Sequence, residues 1–210
     1  MAIRFYYSPM SSATRALWAL EELGVPFEKV RVDISKGEQK KPEFLAINPM
    51  GKVPAMVDGD AKLFESLGII LHLGDRYGVE KNLWPKPGTS ERAEAFTWSA
   101  WGTVTLLDAA AVYAMHTNGD LHFALPPERR DREMAAHAKR TWETCMESTE
   151  RRLEREFFVG TTFSLVDVAN ASPVMFGANI GKLPLEPYKN VEAWLKRCQA
   201  RPAFSRAMGG

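Results

Sequence analysis

Residues 48–66, NPMGKVPAMVDGDAKLFES, decide how the first half of this chain folds. Residues 53–57 and 62–64 read as two short strands, and Asp58-Gly59 between them is a strong hairpin signal. Pro54 stands at the start of the first strand, where its missing N–H is tolerated only at an edge or a bend. A cis bond between Val53 and Pro54 would turn the Val53 backbone outward as an unpaired strand edge, open to a peptide-like ligand by strand addition. Glu65 and Ser66 then open an apolar helical run, so their N–H groups form an anion site. A ligand with a peptide-like middle and a carboxylate at one end suits both features.

Outward from this hairpin, strand and helix signals alternate. Residues 2–7 are β-rich, with Ile3, Phe5 and Tyr7 on one face. Residues 11–24 read as a helix: Leu17, Leu20 and Leu23 share a stripe, Gly24 is a C-cap and Pro26 follows it. Residues 28–33 alternate around Val30 and Val32 as a strand, 41–47 form a short helix, and 66–77 close the unit as another. The order βαβαββα is that of a thioredoxin-like α/β domain, here residues 1–78. Residues 79–89, VEKNLWPKPGT, break the pattern and read as a linker. Beyond it the β signals fade. Residues 90–116, 127–156, 164–176 and 188–201 read as helices, and Phe96, Trp98, Trp101 and Trp142 give them faces for helix-on-helix packing. Residues 90–210 are thus expected to be an all-α domain, with Ser164 and Asp167 as an N-terminal capping box.

Composition narrows the function classes. The 210 residues are 45% hydrophobic and 25% charged, ordinary values for a soluble globular protein. A net charge of +1, from 27 basic and 26 acidic residues, gives no electrostatic case for nucleic acid or a membrane surface. The start, MAIRFYYSPM, lacks the layout of a secretory signal, and the apolar runs fall short of the ~18 residues that span a bilayer. Cys145 and Cys198 are the only cysteines, with no CxxC. That excludes a disulfide framework and a thiol redox pair, and it suits a reducing cytoplasm. The four histidines (72, 116, 122 and 137) show no ligand spacing, so no metal is expected.

Four segments together resemble the cytosolic glutathione transferases. YYSPMSSATRALWALEELGVPFE (6–28) looks like that family's first strand and helix. GEQKKPEFLAINPMGKVPAMVDGDAKLFES (37–66) resembles its glutathione site, closest to the serine-dependent phi and theta-like classes. FSLVDVANAS (163–172) matches its helical-domain cap, and AWLKRCQARPAF (193–204) its terminal pattern. The resemblance implies a thioredoxin-like domain followed by a helical one, glutathione as co-substrate, and attack of its thiolate on a hydrophobic electrophile. It puts Ser11 at the catalytic serine, between a strand end and a helix N-terminus whose N–H dipoles favour a thiolate. A serine is too weak a base to take the thiol proton; its role is to donate a hydrogen bond to the sulfur. Lowering a thiol pKa by about two units requires about 2.7 kcal/mol, within reach of one charge-assisted hydrogen bond and a helix terminus. Gln39 and Lys40 match positions that hold the glycyl carboxylate. Phi enzymes often carry His where this chain has Gln39, and Gln where it has Lys52. Val53, before Pro54, would pair its backbone with the cysteinyl unit, and Glu65 and Ser66 would take the γ-glutamyl amine and carboxylate.

Rival readings stand beside these. Ser11 is also a preferred helix cap, and Ser12 is its neighbour around a tight turn. Tyr7 sits two residues before Pro9, where tyrosine-dependent relatives place a catalytic phenol; those relatives do not usually carry Ser-Ser-Ala-Thr-Arg next, which keeps Ser11 ahead. Arg15 reads as an ion-pair former. The electrophile pocket would lie near Met10, walled by Trp101, Thr105, Leu106, Asp108 and Tyr113. Glutathione-dependent thiol transfer normally uses a cysteine that Met10-Ser11-Ser12 does not offer, and Ala13 replaces the Cys of the maleylacetoacetate isomerase relatives. Dehalogenation and peroxide reduction would use the same thiolate, and a non-catalytic glutathione-binding or protein-interaction role is the alternative on this scaffold. The resemblance further implies a homodimer.

Overall fold

The structure, a computed structural model, describes residues 3–121 and 123–209; Ala2 of the expected first strand and His122 lie outside the described residues. Strands β1 (Ile3–Tyr7), β2 (Phe27–Arg31), β3 (Ala55–Asp58) and β4 (Ala61–Phe64) form one sheet in the order β2-β1-β3-β4. β1 and β2 are parallel and need a crossover, which α1 (Ala13–Leu23) supplies. β3 runs antiparallel to both of its neighbours. α1 stops where Gly24 takes φ 58° and returns its N–H to the Leu20 carbonyl, the C-cap expected from sequence. α1 packs on α3 (Ser66–Leu73), and their apolar residues Leu17, Leu20, Ile69, Ile70 and Leu73 are buried, as are Ile3 and Phe5 of β1. On the opposite face of β1, Tyr6 meets Phe44 edge-on at 5.9 Å; Phe44, from the short helix α2 (Pro42–Leu45), clusters with Val32 and Ala55.

Three local departures from the sequence pattern have simple causes. β3 begins at Ala55 rather than 53, because Pro54 has no N–H to give a ladder; the Val53–Pro54 bond is cis. Two 3-10 turns, Ile34–Lys36 and Glu38–Lys40, occupy the stretch before α2, the first capped by the Asp33 carboxylate accepting from the Ser35 and Lys36 N–H groups. α3 passes into a π turn at Gly74–Gly78, whose glycines leave room for the buried Trp84 side chain.

By its contacts the chain divides into two compact units, one running through Lys86 and resuming at Ala200, the other spanning Pro87–Gln199. The second holds α4 (Ser90–Trp101), a π turn at Gly102–Leu106, α5 (Leu107–Thr117), α6 (Arg132–Arg152), α7 (Leu165–Asn179) and α8 (Lys189–Gln199). Where one helix was expected from 127, Pro127–Arg129 is a separate 3-10 turn, and α6 starts only after Asp131 caps it through the Glu133 and Met134 N–H groups. Where one was expected through 201, Arg201 is extended ahead of Pro202, and a further helix, α9 (Pro202–Met208), begins there in the first unit. The helical core joins Trp98, Phe158 and Trp194 ring to ring at 5.5 and 5.2 Å. The Ser164–Asp167 capping box is present, and the Asp167 carboxylate is fully buried. Gly177 lies directly under the Trp142 ring, where a Cβ has no room. Gly177→Ala is therefore expected to cost about 1–3 kcal/mol by overpacking, read as a lower urea midpoint at unchanged m.

Candidate functional site

Strand register gathers the site. Tyr6 stands opposite Ala55, and Ala55 opposite Phe64, so β1 and β4 run one way and β3 the other. Tyr7, Pro54 and Glu65 consequently lie at the same end of the sheet. β2 is parallel to β1, with Arg31 opposite Tyr7, so the turns carrying Gln39 and Lys40 leave from that end too. The α1 N-terminus, which follows Tyr7 after a short loop, completes the group.

In that loop Met10 has φ 53° and is 93% exposed, a left-handed backbone on a non-glycine residue. Ser11 is half-buried. Its hydroxyl donates to the Ser8 carbonyl (2.7 Å) and accepts from the Ala13 N–H (3.2 Å). Ser12 occupies the N-cap position but makes no cap bond; its exposed hydroxyl donates to the Val53 carbonyl at 3.5 Å. Tyr7 is half-buried, and its carbonyl accepts from the Val32 N–H (2.8 Å).

The loop before β3 is shaped by Asn48, which sequence reading passed over although Asn-Pro is a turn signal. Buried, it donates from Nδ2 to the Lys52 carbonyl (2.5 Å), and its Oδ1 accepts from the Met50 N–H (3.0 Å). Gly51 follows at φ 60°. A Cβ there would sit 2.8 Å from Lys40 Nζ and 2.9 Å from the Gln39 carbonyl. The lysine tip can swing away, but the backbone carbonyl cannot. Gly51→Ala is accordingly expected to destabilise this loop by about 1–3 kcal/mol, read as a lower urea midpoint. Lys40 Nζ also reaches the Met50 carbonyl (3.5 Å), the Gln39 amide donates to the Ile34 carbonyl (3.3 Å), and Lys52 is exposed. Val53 lies outside the β3 ladders.

Glu65 holds φ 62°, ψ 122° at the mouth of α3, exposed, while Ser66 behind it is buried as the first helical residue. Arg15, one turn into α1, is buried and faces the Glu65 charge. Burial pulls its guanidinium down to about 10, and Glu65 acts in the opposite direction, so the cation persists at neutral pH.

In the helical unit, Trp101 and Thr105 line a cavity of about 250 Å³ with Thr141, Thr144, Cys145 and Ser148. Leu106 is instead fully buried, Asp108 is exposed and Tyr113 is half-buried, and none of the three lines that cavity. Met10 belongs to the other unit. Burial pushes the Cys145 thiol up, away from reactivity. Among the described residues, no group of three or more His, Cys, Asp or Glu side chains could hold a metal, and no helix is long and apolar enough to cross a membrane.

A thioredoxin-like unit with its polar groups at one sheet end, followed by a helical unit, defines a recognisable class of two-part proteins. Residues 1–75 match the glutathione S-transferase N-terminal domain and residues 112–202 the glutathione S-transferase C-terminal domain. Glutathione S-transferase F10 of Arabidopsis thaliana is 30% identical, over 97% of this chain and 95% of its own length. GstB of Escherichia coli is 29% identical, over 94% and 93%. A glutathione transferase from Burkholderia graminis, solved with two glutathione molecules bound per subunit, superposes with a TM-score of 0.87 at 25% identity, covering 100% of this chain and 88% of that one. The chain belongs to the glutathione S-transferase family of enzymes.

Proposed function

We propose that this protein binds glutathione at the sheet end described above, holds it as a thiolate, and conjugates it to a hydrophobic electrophile. The observation that carries the reading is the strand register, which brings Ser11, Val53, Glu65 and Ser66 to one end of the sheet. A tripeptide laid across that end has its cysteinyl amide beside Val53, its γ-glutamyl end on Glu65 and Ser66, and its glycyl carboxylate toward Gln39, Lys40 and Lys52. Ser11 spends its one proton on the Ser8 carbonyl in the resting arrangement. Turning that proton onto a sulfur anion exchanges a neutral hydrogen bond for a charge-assisted one, a favourable trade of about 1 kcal/mol. Ser12, held by only a 3.5 Å contact, is the alternative donor, and Tyr7 the next. Trp101 and Thr105 would contribute to electrophile binding. The protein would work as a homodimer in the cytoplasm.

The test is a pH-resolved ultraviolet difference titration of bound glutathione. Thiolate absorbance developing near neutral pH is expected. A protein that binds no glutathione would sink the proposal and leave a protein-interaction role on the same scaffold.

A further inference from the structure

Helix α1 ends on Glu21-Glu22, two acids in a last turn that holds no base. Negative charge at a helix C-terminus opposes the helix dipole, so the sequence is locally at odds with its own fold. The repair comes from far along the chain. Arg201 donates from Nε and Nη2 to the two carboxylate oxygens of Glu22, at 2.8 and 2.7 Å, across 179 residues. The Glu22 side chain is only 3% exposed and also accepts from Trp18 Nε1 (2.9 Å). Arg206 reaches the Glu21 carboxylate with Nε (2.7 Å) and the Glu21 carbonyl with Nη2 (3.1 Å), supplying the missing cation and a donor for the helix end. Between the two arginines, Phe204 sets its ring edge-on to Trp18 at 5.0 Å.

A buried carboxylate deprived of its cation is an uncompensated charge, far worse than a lost surface pair. The seat of α1 therefore depends on α9. The other end of this 11-residue helix carries Arg15 in its first turn and Ser11 and Ser12 just ahead of it. A helix is stiff, so fixing one end sets where the other end points, and small misplacements of a catalytic group are costly. The match to the C-terminal domain model ends at residue 202, short of Arg206.

We propose that Arg201 and Arg206 are positioning residues for the thiolate site, clamping the far end of α1 so that its N-terminus and Ser11 meet the glutathione sulfur. This rests on the thiolate reading above. The experiment compares the native protein with Arg201→Ala/Arg206→Ala, Arg201→Lys/Arg206→Lys and Arg206→Ala alone. The probe is glutathione, titrated by ultraviolet difference spectroscopy, alongside hydrogen–deuterium exchange of peptides covering residues 8–17. The double alanine variant is expected to raise the apparent thiolate pKa by about one unit, a tenfold loss of thiolate at fixed pH, and to speed exchange in 8–17; the lysine pair recovers most of both. A lowered melting temperature with unchanged titration and unchanged exchange in 8–17 would overturn the proposal and leave the clamp as scaffolding. If the double alanine variant does not fold, Arg206→Ala, which removes the more exposed of the two pairs, is judged on the same two readouts. If the native protein forms no thiolate, the proposed function fails, and the clamp is then decided by exchange in 8–17 alone, where unchanged protection overturns it.

Discussion

Asp167→Ala is expected to cost the helical unit about 4 kcal/mol of stability, enough to be exceptional for a single substitution. The carboxylate accepts from the Phe158 N–H (3.0 Å), the Ser164 N–H (2.9 Å), the Ser164 hydroxyl (3.1 Å) and Trp194 Nε1 (2.8 Å). Alanine leaves these donors buried without an acceptor, at about 1–3 kcal/mol each before relaxation. It also unties three parts of the unit at once: the start of α7, the chain ahead of it at Phe158, and α8 through Trp194. Urea unfolding of the variant checks the size. The pH dependence adds a signature. Burial pushes the Asp167 carboxyl up despite its four donors. A carboxyl raised in the fold contributes stability that is present below the ordinary carboxylate range and lost as pH rises through the folded value. The advantage of native protein over Asp167→Asn is therefore expected to narrow as pH rises, and a gap that widens would contradict this account.

Ser11→Ala is expected to lower kcat/KM toward an aryl halide about 10- to 100-fold, the loss of one hydrogen bond to a charged group at about 1.5–3 kcal/mol. The apparent thiolate pKa should climb with it, while glutathione affinity, which the proposed function assigns to the loop before β3 and to Glu65 and Ser66, changes little. The substitution also removes the acceptor for the Ala13 N–H and the donor to Ser8. A thermal melt separates that capping loss, about 1 kcal/mol, from the chemical effect. Thiolate that survives in Ser11→Ala moves the role to Ser12 or Tyr7, and the same titration on Ser12→Ala and Tyr7→Phe decides between them. Activity lost with the thiolate intact would point to the electrophile's side of the reaction instead.

The parts legible in the sequence were those decided by neighbours in the chain. Asp58-Gly59 turns β3 into β4 because a hairpin is a local event, and Gly24 ends α1 because a left-handed residue can be recognised from its type. The Ser164–Asp167 box lies within four consecutive residues and is equally plain. Misreadings cluster where a competing local effect is subtle. Asp131 outbids Pro127 as the start of α6, and the short helix that Pro202 opens lies beyond the last one expected, which ran to residue 201. Neither π turn leaves a mark in the hydrophobic pattern, since a single widened turn shifts the phase by less than the pattern resolves. Leu106, expected on the long helix as a wall of the electrophile pocket, is fully buried in the core. Hidden altogether were the pairings that depend on tertiary closure, those of the two arginines of the C-terminal segment with Glu21 and Glu22.

The return of the chain to its first unit sets an order in time. During synthesis, Glu22 leaves the ribosome 179 residues ahead of the arginine that neutralises it. The helical unit is continuous from Pro87 to Gln199 and has all its own parts before that arginine is made. Domains generally complete in the order they are translated. Here the order is reversed: the unit begun first receives its last helix, α9, only after every part of the helical unit has been made.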